Sequence, residues 1–361
     1  MMHPISELMN TSTFLPKNNR REHLLLLVFL LFCSLSGVSQ EYTPFARVMF
    51  YNVENLFDTQ DDPATSDNEF LPNGKKHWTN TRYYQKQNRI AQVIIAARED
   101  DYPDVIGLCE IENQEVLESL LFFTPLNKLG YKIIHKESPD PRGIDVAFLY
   151  RNGKFRPLCY EAIPLINSKG HALKTRDILY VKGILGSDTL HFFVNHWPSK
   201  YGGISATKLS RATAASTLRA KTDSILKLNN QSRIIIMGDF NDTPLDASIK
   251  EVLGAKSPET NQAMPDSLYN LALPLAQKGK GSNKFQGKWS LIDQIMVSGS
   301  LLDKTKGKTI AGSFQLFSPD FLLENDEANL GKKPNRTYAG YKYHGGFSDH
   351  LPVTVELLRK K

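Results

Sequence analysis

Disulfide chemistry is the first thing this sequence lacks the means for. It holds 3 cysteines in 361 residues, and one of them, Cys33, lies in an N-terminal apolar run. Only Cys109 and Cys159 follow. Two cysteines build no disulfide framework, and a chain of this length needs none to bury a core. Cys109 sits in an apolar stretch and reads as a buried thiol. Cys and His at zinc-ligand spacing are also missing, which argues against a zinc site. There is no Gly-rich phosphate loop, no Gly-x-Ser-x-Gly elbow and no dinucleotide fingerprint. Those absences set aside P-loop NTPases, nucleophile-elbow hydrolases and Rossmann oxidoreductases. No apolar run is long enough for a comfortable membrane span. No interior linker or short tandem repeat divides the chain.

The apolar run Leu24–Cys33 is preceded by Lys17, Arg20 and Arg21 and followed by Gly37 and Ser39. That is the order of a secretory signal. Residues 1–39 are expected to be removed, leaving 40–361 as one catalytic domain, exported to the periplasm or beyond, monomeric and with no stable membrane span. Phe32 before Cys33 argues against a lipidation site. The formal charge is +6, and removing the leader leaves it positive. A mild basic excess is compatible with a polyanionic partner, although Lys and Arg are spread along the chain.

Secondary structure follows from periodicity. Arg47–Val53 alternates and reads as a strand, with Asn52 and Glu54 on one face at its end. Asp58–Lys76 is a polar loop. Thr79–Arg98 carries Ile90, Val93, Ile94 and Ala97 at helical spacing. Asp104–Leu108 is a strand that delivers Glu110 and Glu112. Tyr131–His135, Ile144–Tyr150, Phe155–Tyr160, Ile178–Leu185 and Leu190–Asn195 are further strands, the last ending at His196. Ser205–Leu228 is a second helix. It feeds the buried strand Ile234–Met237, which ends in Gly238-Asp239-Phe240-Asn241. Asp246–Leu253 reads as a short helix and Trp289–Val297 as a strand containing Asp293. Phe321–Gly346 is a long polar loop with Arg336, Tyr338, Tyr341 and Tyr343. Helix, turn, apolar strand and acidic end occur twice, at Glu110 and at Asp239, which suggests two similar halves. Sheet-and-helix alternation with many hairpins indicates a mixed α/β sandwich.

The strand ends thus collect Asn52, Glu54, Glu110, Glu112, His196, Asp239, Asn241, Asp293, Asp349 and His350. Singly, each also fits a turn, a cap or a solvated side chain. Asp293 is harder to dismiss, because a carboxylate inside an apolar strand needs a partner, and His350 or a metal would supply one. Together the set suits phosphate-ester hydrolysis. Glu110, Asp349 and Asn52 are hard oxygen ligands of the kind that take Mg²⁺, Mn²⁺ or Ca²⁺. A carboxylate–imidazole network would orient and activate water.

On these motifs the chain resembles the endonuclease/exonuclease/phosphatase superfamily, over about Val48 to Val355. The motifs are Tyr51-Asn52-Val53-Glu54-Asn55, Glu110 before Ile111, Asn195-His196, Gly238-Asp239-Phe240-Asn241, Asp293 in its strand and Ser348-Asp349-His350, in family order. The resemblance implies a four-layer α/β sandwich, two packed mixed β-sheets flanked by helices. It implies Glu110 as the principal metal carboxylate, with Asn52 and Asp349 completing or flanking the site and Glu54 near it. Asp239 would orient or deprotonate water, and Asn241 would hold a phosphate oxygen. His350, oriented by Asp293, would contact the phosphate as base or as charged clamp. His196 would be a second phosphate-side histidine, with Asp145 as its partner.

The substrate is less legible. Ser290-Leu291-Ile292-Asp293-Gln294 departs from the inositol-phosphatase segment. Tyr51-Asn52-Val53-Glu54-Asn55 departs from the abasic-site pattern. Arg176, Lys200, Arg211 and Arg336 could grip a nucleic-acid backbone, and Tyr338 could stack on a base, or all could be ordinary surface groups. The reading that results is an exported, divalent-metal-dependent phosphodiesterase, a broad-specificity nuclease. The alternatives are a sphingomyelinase-like, inositol or small-molecule phosphatase, or a non-catalytic binding protein on the same fold.

Overall fold

The alternating stretch at Arg47–Val53 is the centre of a longer strand, β1 (Tyr42–Leu56), in a computed structural model that describes residues 42–97, 101–259, 262–303 and 309–360. The expected signal segment, residues 1–39 with Cys33, lies outside the described residues. After β1 come α1 (Asn80–Ala96), β2 (Val105–Ile111), α2 (Gln114–Phe123), β3 (Tyr131–His135), β4 (Asp145–Arg151), β5 (Phe155–Ile163), β6 (Ile178–Leu185) and β7 (Asp188–His196). Next are α3 (Ile204–Leu228), β8 (Arg233–Asp239), β9 (Leu268–Asn270), α4 (Leu273–Gln277), β10 (Asn283–Phe285), β11 (Lys288–Ser290), β12 (Asp293–Ser298) and β13 (Thr309–Leu316). Two small hairpins, β14 (Leu323–Asn325) with β15 (Lys332–Pro334) and β16 (Tyr338–Ala339) with β17 (Lys342–Tyr343), precede β18 (Val353–Lys360).

Two mixed six-stranded sheets form, in the orders β13-β18-β1-β2-β4-β3 and β5-β6-β7-β8-β12-β9. Each has one parallel pair at its centre, β1 with β2 and β7 with β8. A helix joins each pair, α1 in the first and α3 in the second, because parallel neighbours need a crossover. The repeated helix-strand order in the sequence is this repeated βαβ unit.

Period-two alternation sorts the side chains into layers. Val48 and Phe50 of β1 face Phe192 and Val194 of β7 and Ile235 and Met237 of β8, in the core between the sheets. Met49 and Tyr51 point the other way, onto Ile90, Val93 and Ile94 of α1 and Val116 and Leu117 of α2. Ile234 and Ile236 likewise meet Ala214 and Leu218 of α3. The result is helix, sheet, sheet, helix. Phe148, Phe155 and Phe192 interlock at the centre with ring centroids 5.3 to 5.6 Å apart. Cys109 is buried, as its setting implied.

Three local readings change. Helix α2 went unseen in the sequence; Asn113 starts it by accepting the Val116 N–H at 2.9 Å, an N-cap. The strand expected at Trp289–Val297 is two elements, because β11 turns back onto β10 and β12 begins afresh at Asp293. The long loop expected at Phe321–Gly346 carries the two small hairpins β14–β15 and β16–β17, whereas the short helix expected at Asp246–Leu253 is present, as one wide helical turn at Ser248–Val252. Among the described residues, no helix is long and apolar enough to cross a membrane.

Candidate active site

Strand register assembles the second sheet's contribution. His196 is the register partner of Asp239 across β7 and β8, and Asp239 is the partner of Asp293 across β8 and β12. Three polar side chains therefore stand in one row at one sheet edge. Gly238 lets β7 approach, since a Cβ there would lie 2.5 Å from the Asn195 carbonyl oxygen. Asn52 and Glu110 come from the ends of the parallel pair in the other sheet.

Backbone strain marks those ends. Glu54, Asn55, Glu110 and Asn241 all have positive φ, from 51° to 63°, a region that non-glycine residues rarely occupy and that clusters at functional sites. At Glu110 the strain accompanies a register shift between Cys109 and Ile111. It also overturns the simple alternation expected for these pairs. Glu54 does not share a face with Asn52; its carboxylate turns to accept the N–H groups of Thr337 at 2.6 Å and Tyr338 at 3.2 Å. Glu112 turns away from Glu110 and accepts the Asp58 N–H. Asn241 curls back, its N–H donating to Asp239 Oδ1 and its Nδ2 to the Trp197 carbonyl.

Asn52 joins the sheets. Its Nδ2 donates to Glu110 Oε1 at 3.2 Å and to Asp239 Oδ2 at 3.0 Å, while its Oδ1 accepts the Glu54 N–H. Asn52 therefore flanks the carboxylates and holds them at a fixed separation. Glu110 Oε2 accepts the Asn55 N–H at 2.9 Å. His350 places Nδ1 2.7 Å from Asp293 Oδ2 and Nε2 3.9 Å from Asp239 Oδ2. His196 Nε2 lies 3.8 Å from Asp239 Oδ2 and 3.9 Å from Glu110 Oε1. Asp349 pairs with Arg336 Nη2 at 3.0 Å.

The two histidines differ in charge, one protonated and one neutral. Burial opposes protonation of His350, but Asp293 and then Asp239 outweigh it and hold the imidazolium well above its ordinary range. Its Nδ1–H then donates to Asp293. Burial, followed by Arg176 and Arg142, pushes His196 well below its ordinary range, so it stands neutral. Asp239 is pushed up to about 7, first by burial, against the lowering influence of His350. A carboxylate near the working pH suits proton transfer.

Several residues named from the sequence take other places. Arg176 is not a surface cation. It is 5% exposed, and its guanidinium donates to Asp140, to the His196 carbonyl and to the Trp197 carbonyl. It fixes the end of β7 and does not face a substrate. Arg211 is buried against Asp242, which also binds Lys200. Tyr338 is buried, its hydroxyl donating to the Lys76 carbonyl and its ring packed against Trp78, Tyr343 and the Lys76 ammonium, at the wall of a small cavity rather than on an open face. Asp145 is not the partner of His196; its free oxygen faces His135 Nε2 at 3.3 Å. Arg336 does border the site, half-buried between Asp349 and Glu54.

Supporting residues were missed. Ser282 donates to Asp293 Oδ2 at 2.5 Å. Ser348 donates to the Asn52 carbonyl and accepts the His350 N–H. Lys86 is buried on α1 and donates to Thr337 and the Phe347 carbonyl, with burial lowering it to about 8. Only the adjacency of Ser348 to Asp349-His350 was a usable signal in the sequence.

The model of the endonuclease/exonuclease/phosphatase family matches residues 47–359. The chain belongs to that family. Members of the family are hydrolases acting on phosphoesters. Protein angel of Drosophila melanogaster is 25% identical over 206 residues, covering 54% of this chain and 54% of that protein; the chain spans about half the length of that relative. Among solved structures, a mannosyl-6-phosphatase of Bacteroides thetaiotaomicron aligns with 19% identity and a TM-score of 0.54, covering 87% of this chain and 99% of that one. The human nocturnin catalytic domain aligns with 15% identity and a TM-score of 0.53, covering 88% and 96%. At such identities the likeness is one of fold, and it matches the four layers described above.

Proposed function

We propose that this family member is an exported, divalent-metal-dependent phosphodiesterase that cleaves nucleic-acid backbones with broad sequence tolerance. The observation that carries the hydrolytic reading is the joined set Asn52, Glu110, Asp239 and His350–Asp293, drawn from both sheets and meeting at one edge. A divalent cation fits this donor set. Glu110 and Asp349 offer anionic oxygens, hard donors suited to Mg²⁺, Mn²⁺ or Ca²⁺, while Asn52, whose Oδ1 accepts the Glu54 N–H and whose Nδ2 donates to Glu110 and Asp239, holds the carboxylates in place. The pull on cations is visible in Arg336, which lies 3.0 Å from Asp349 and 3.5 Å from Glu54. When bound, such an ion polarises a phosphate oxygen and stabilises the leaving oxyanion.

The chain's own groups do the rest. Asp239 Oδ2, held by Asn52, takes a proton from the attacking water. His350 Nε2–H donates to a non-bridging phosphate oxygen, and its charge is maintained by Asp293 behind it. Asn241 keeps one amide hydrogen on the Trp197 carbonyl and presents the other to the phosphate. His196 is neutral and offers a polar contact without adding charge.

A second reading, a small phosphoester substrate, is favoured by one observation. Beside Glu54 lies a cavity of about 210 Å³ lined by Asn55, Phe70, Lys76, Arg336 and Thr337 among others, a volume suited to a single small group. With Arg176 and Tyr338 internal, fewer groups remain for gripping a polymer. A substrate panel separates the two: duplex DNA, single-stranded DNA, RNA, sphingomyelin, inositol phosphates and a generic phosphodiester, with Mg²⁺ and with EDTA. Polynucleotide cleavage that EDTA abolishes is the expected result. Turnover of small phosphoesters alone would establish the second reading, and EDTA-resistant turnover would overturn the metal role.

Export rests on the leader's cation, apolar and small-residue order. N-terminal sequencing of exported protein should find a start near Gln40; retention of residues 1–39 in the membrane fraction would sink a cleaved signal.

A further inference from the structure

A second group of ligand-type side chains lies outside the residues that carry the hydrolytic chemistry. His135 ends β3 and Asp145 begins β4, and the loop 136–144 between them carries Glu137. One ligand atom from each of the three lies within 4.8 Å of the other two. The His135 and Asp145 side chains are only 2% and 1% exposed, and His135 Nε2 faces Asp145 Oδ2 at 3.3 Å. Neither of these two buried atoms has a hydrogen-bond partner. Apart from facing each other, these two buried polar atoms are left without a well-formed hydrogen bond, which is costly.

The imidazole stands between the two carboxylates, Asp145 at Nε2 and Glu137 at Nδ1. Asp145 Oδ1 is saturated by the N–H and the hydroxyl of Ser138, which leaves Oδ2 as a single free acceptor. Glu137 Oε1 lies 3.6 Å from His135 Nδ1 on the open side. Ser138 holds Asp145 as a neighbour of a ligating carboxylate would. Two atoms each about 2.0–2.1 Å from a tetrahedral ion are themselves about 3.3 Å apart, the separation found here.

We propose that His135, Asp145 and Glu137 form a binding site for a transition-metal dication, Zn²⁺ or Mn²⁺, separate from the Glu110 site. One imidazole nitrogen with two carboxylate oxygens suits those ions better than Mg²⁺ or Ca²⁺. The scarcity of Cys/His spacing pointed away from zinc, but this set depends on one histidine and on the folding together of two strand ends. The ion would pin both ends of loop 136–144. That loop carries Asp140, whose carboxylate holds Arg176 and, through it, the end of β7 at His196. The site is a staple for a loop that braces the catalytic edge.

The test uses the full chain bearing Glu110→Gln, stripped of metal and titrated calorimetrically with ZnCl₂ in excess Mg²⁺, with Co²⁺ absorption as a second readout. One equivalent of Zn²⁺ should bind, Tm should rise with it, and Co²⁺ should give visible bands of a nitrogen–oxygen site. Adding His135→Gln or Glu137→Gln should each weaken Zn²⁺ binding at least about tenfold. Glu137 is exposed, so its variant is expected to fold even where the buried His135 variant does not. No Zn²⁺ binding, or an affinity unchanged in folded Glu137→Gln and unchanged Co²⁺ bands, would overturn the site. None of these readouts depends on hydrolysis, so the outcome is independent of the activity proposed above.

Discussion

Replacing His350 with Ala is expected to lower kcat on the order of 10²-fold or more in a protein that still folds, at a stability cost because Asp293 is left buried with Ser282 as its remaining partner, and Asp239→Asn is expected to lower kcat by a similar factor. The reason is geometric. His350 is the one imidazole at the site that holds a charge, because Asp293 at 2.7 Å and Asp239 at 3.9 Å both favour protonation. Asp239 is the carboxylate best placed to accept a proton, oriented by Asn52 and by the Asn241 N–H. The double variant should lose less than the product of the two effects, because both groups act on one transition state. The pH profile carries a sign. Activity needs Asp239 ionised, so it falls as pH drops through that group's pKa, at or below about 7 with a cation bound nearby. It needs His350 protonated, so it falls again at high pH. In His350→Ala the carboxylate loses the cation that lowers its pKa, and the acid limb must move upward. Near-wild-type turnover in folded His350→Ala with Mg²⁺ saturating would rule out the mechanism.

Arg176→Ala should destabilise the fold by about 3–5 kcal/mol, the range for breaking a buried ion pair from one side. The guanidinium is internal, and removing it strips Asp140 Oδ2 of its buried partner, leaving only the Arg142 contacts to Oδ1. It also releases the carbonyls of His196 and Trp197, so kcat should fall even where the fold survives. Arg176→Lys should recover only part of the loss, since an ammonium cannot reproduce the planar fork that reaches Asp140 and two carbonyls together. Urea unfolding and steady-state kinetics on the same preparations check both parts. A stability loss under 1 kcal/mol, with KM raised for polynucleotides only, would restore the surface-cation reading that the sequence suggested.

Arg176 shows where sequence reasoning reached its end. Strands and long helices were legible because alternation and helical spacing survive in one dimension: β3 and β6 were located to the residue, and α1 and α3 to within two. The site's members were legible through six short motifs in order. What escaped was set by three-dimensional accidents of burial. Arginine and tyrosine are ordinarily partly exposed, so nothing in the chain said that Arg176, Arg211 and Tyr338 would be internal. The positive φ values at Glu54 and Glu110 override alternation at the two positions where it mattered most. Helix α2 was hidden because Phe122 and Phe123 are exposed and spoil its stripe. The split of the strand at Asp293 was hidden because Leu291 and Ile292 are as apolar as the strand that follows.

The bond between Ser348 and the Asn52 carbonyl spans 296 residues of chain. Strand β18, which follows it, inserts between β13 and β1 in the first sheet. A chain growing from its N-terminus therefore possesses Glu110, then Asp239, then Asp293, and still has neither the imidazole nor the strand that flanks β1. On the proposed mechanism, a chain that stops short of residue 350 holds the acidic groups without the phosphate-side imidazole and without the Ser348 bond that ties it to β1.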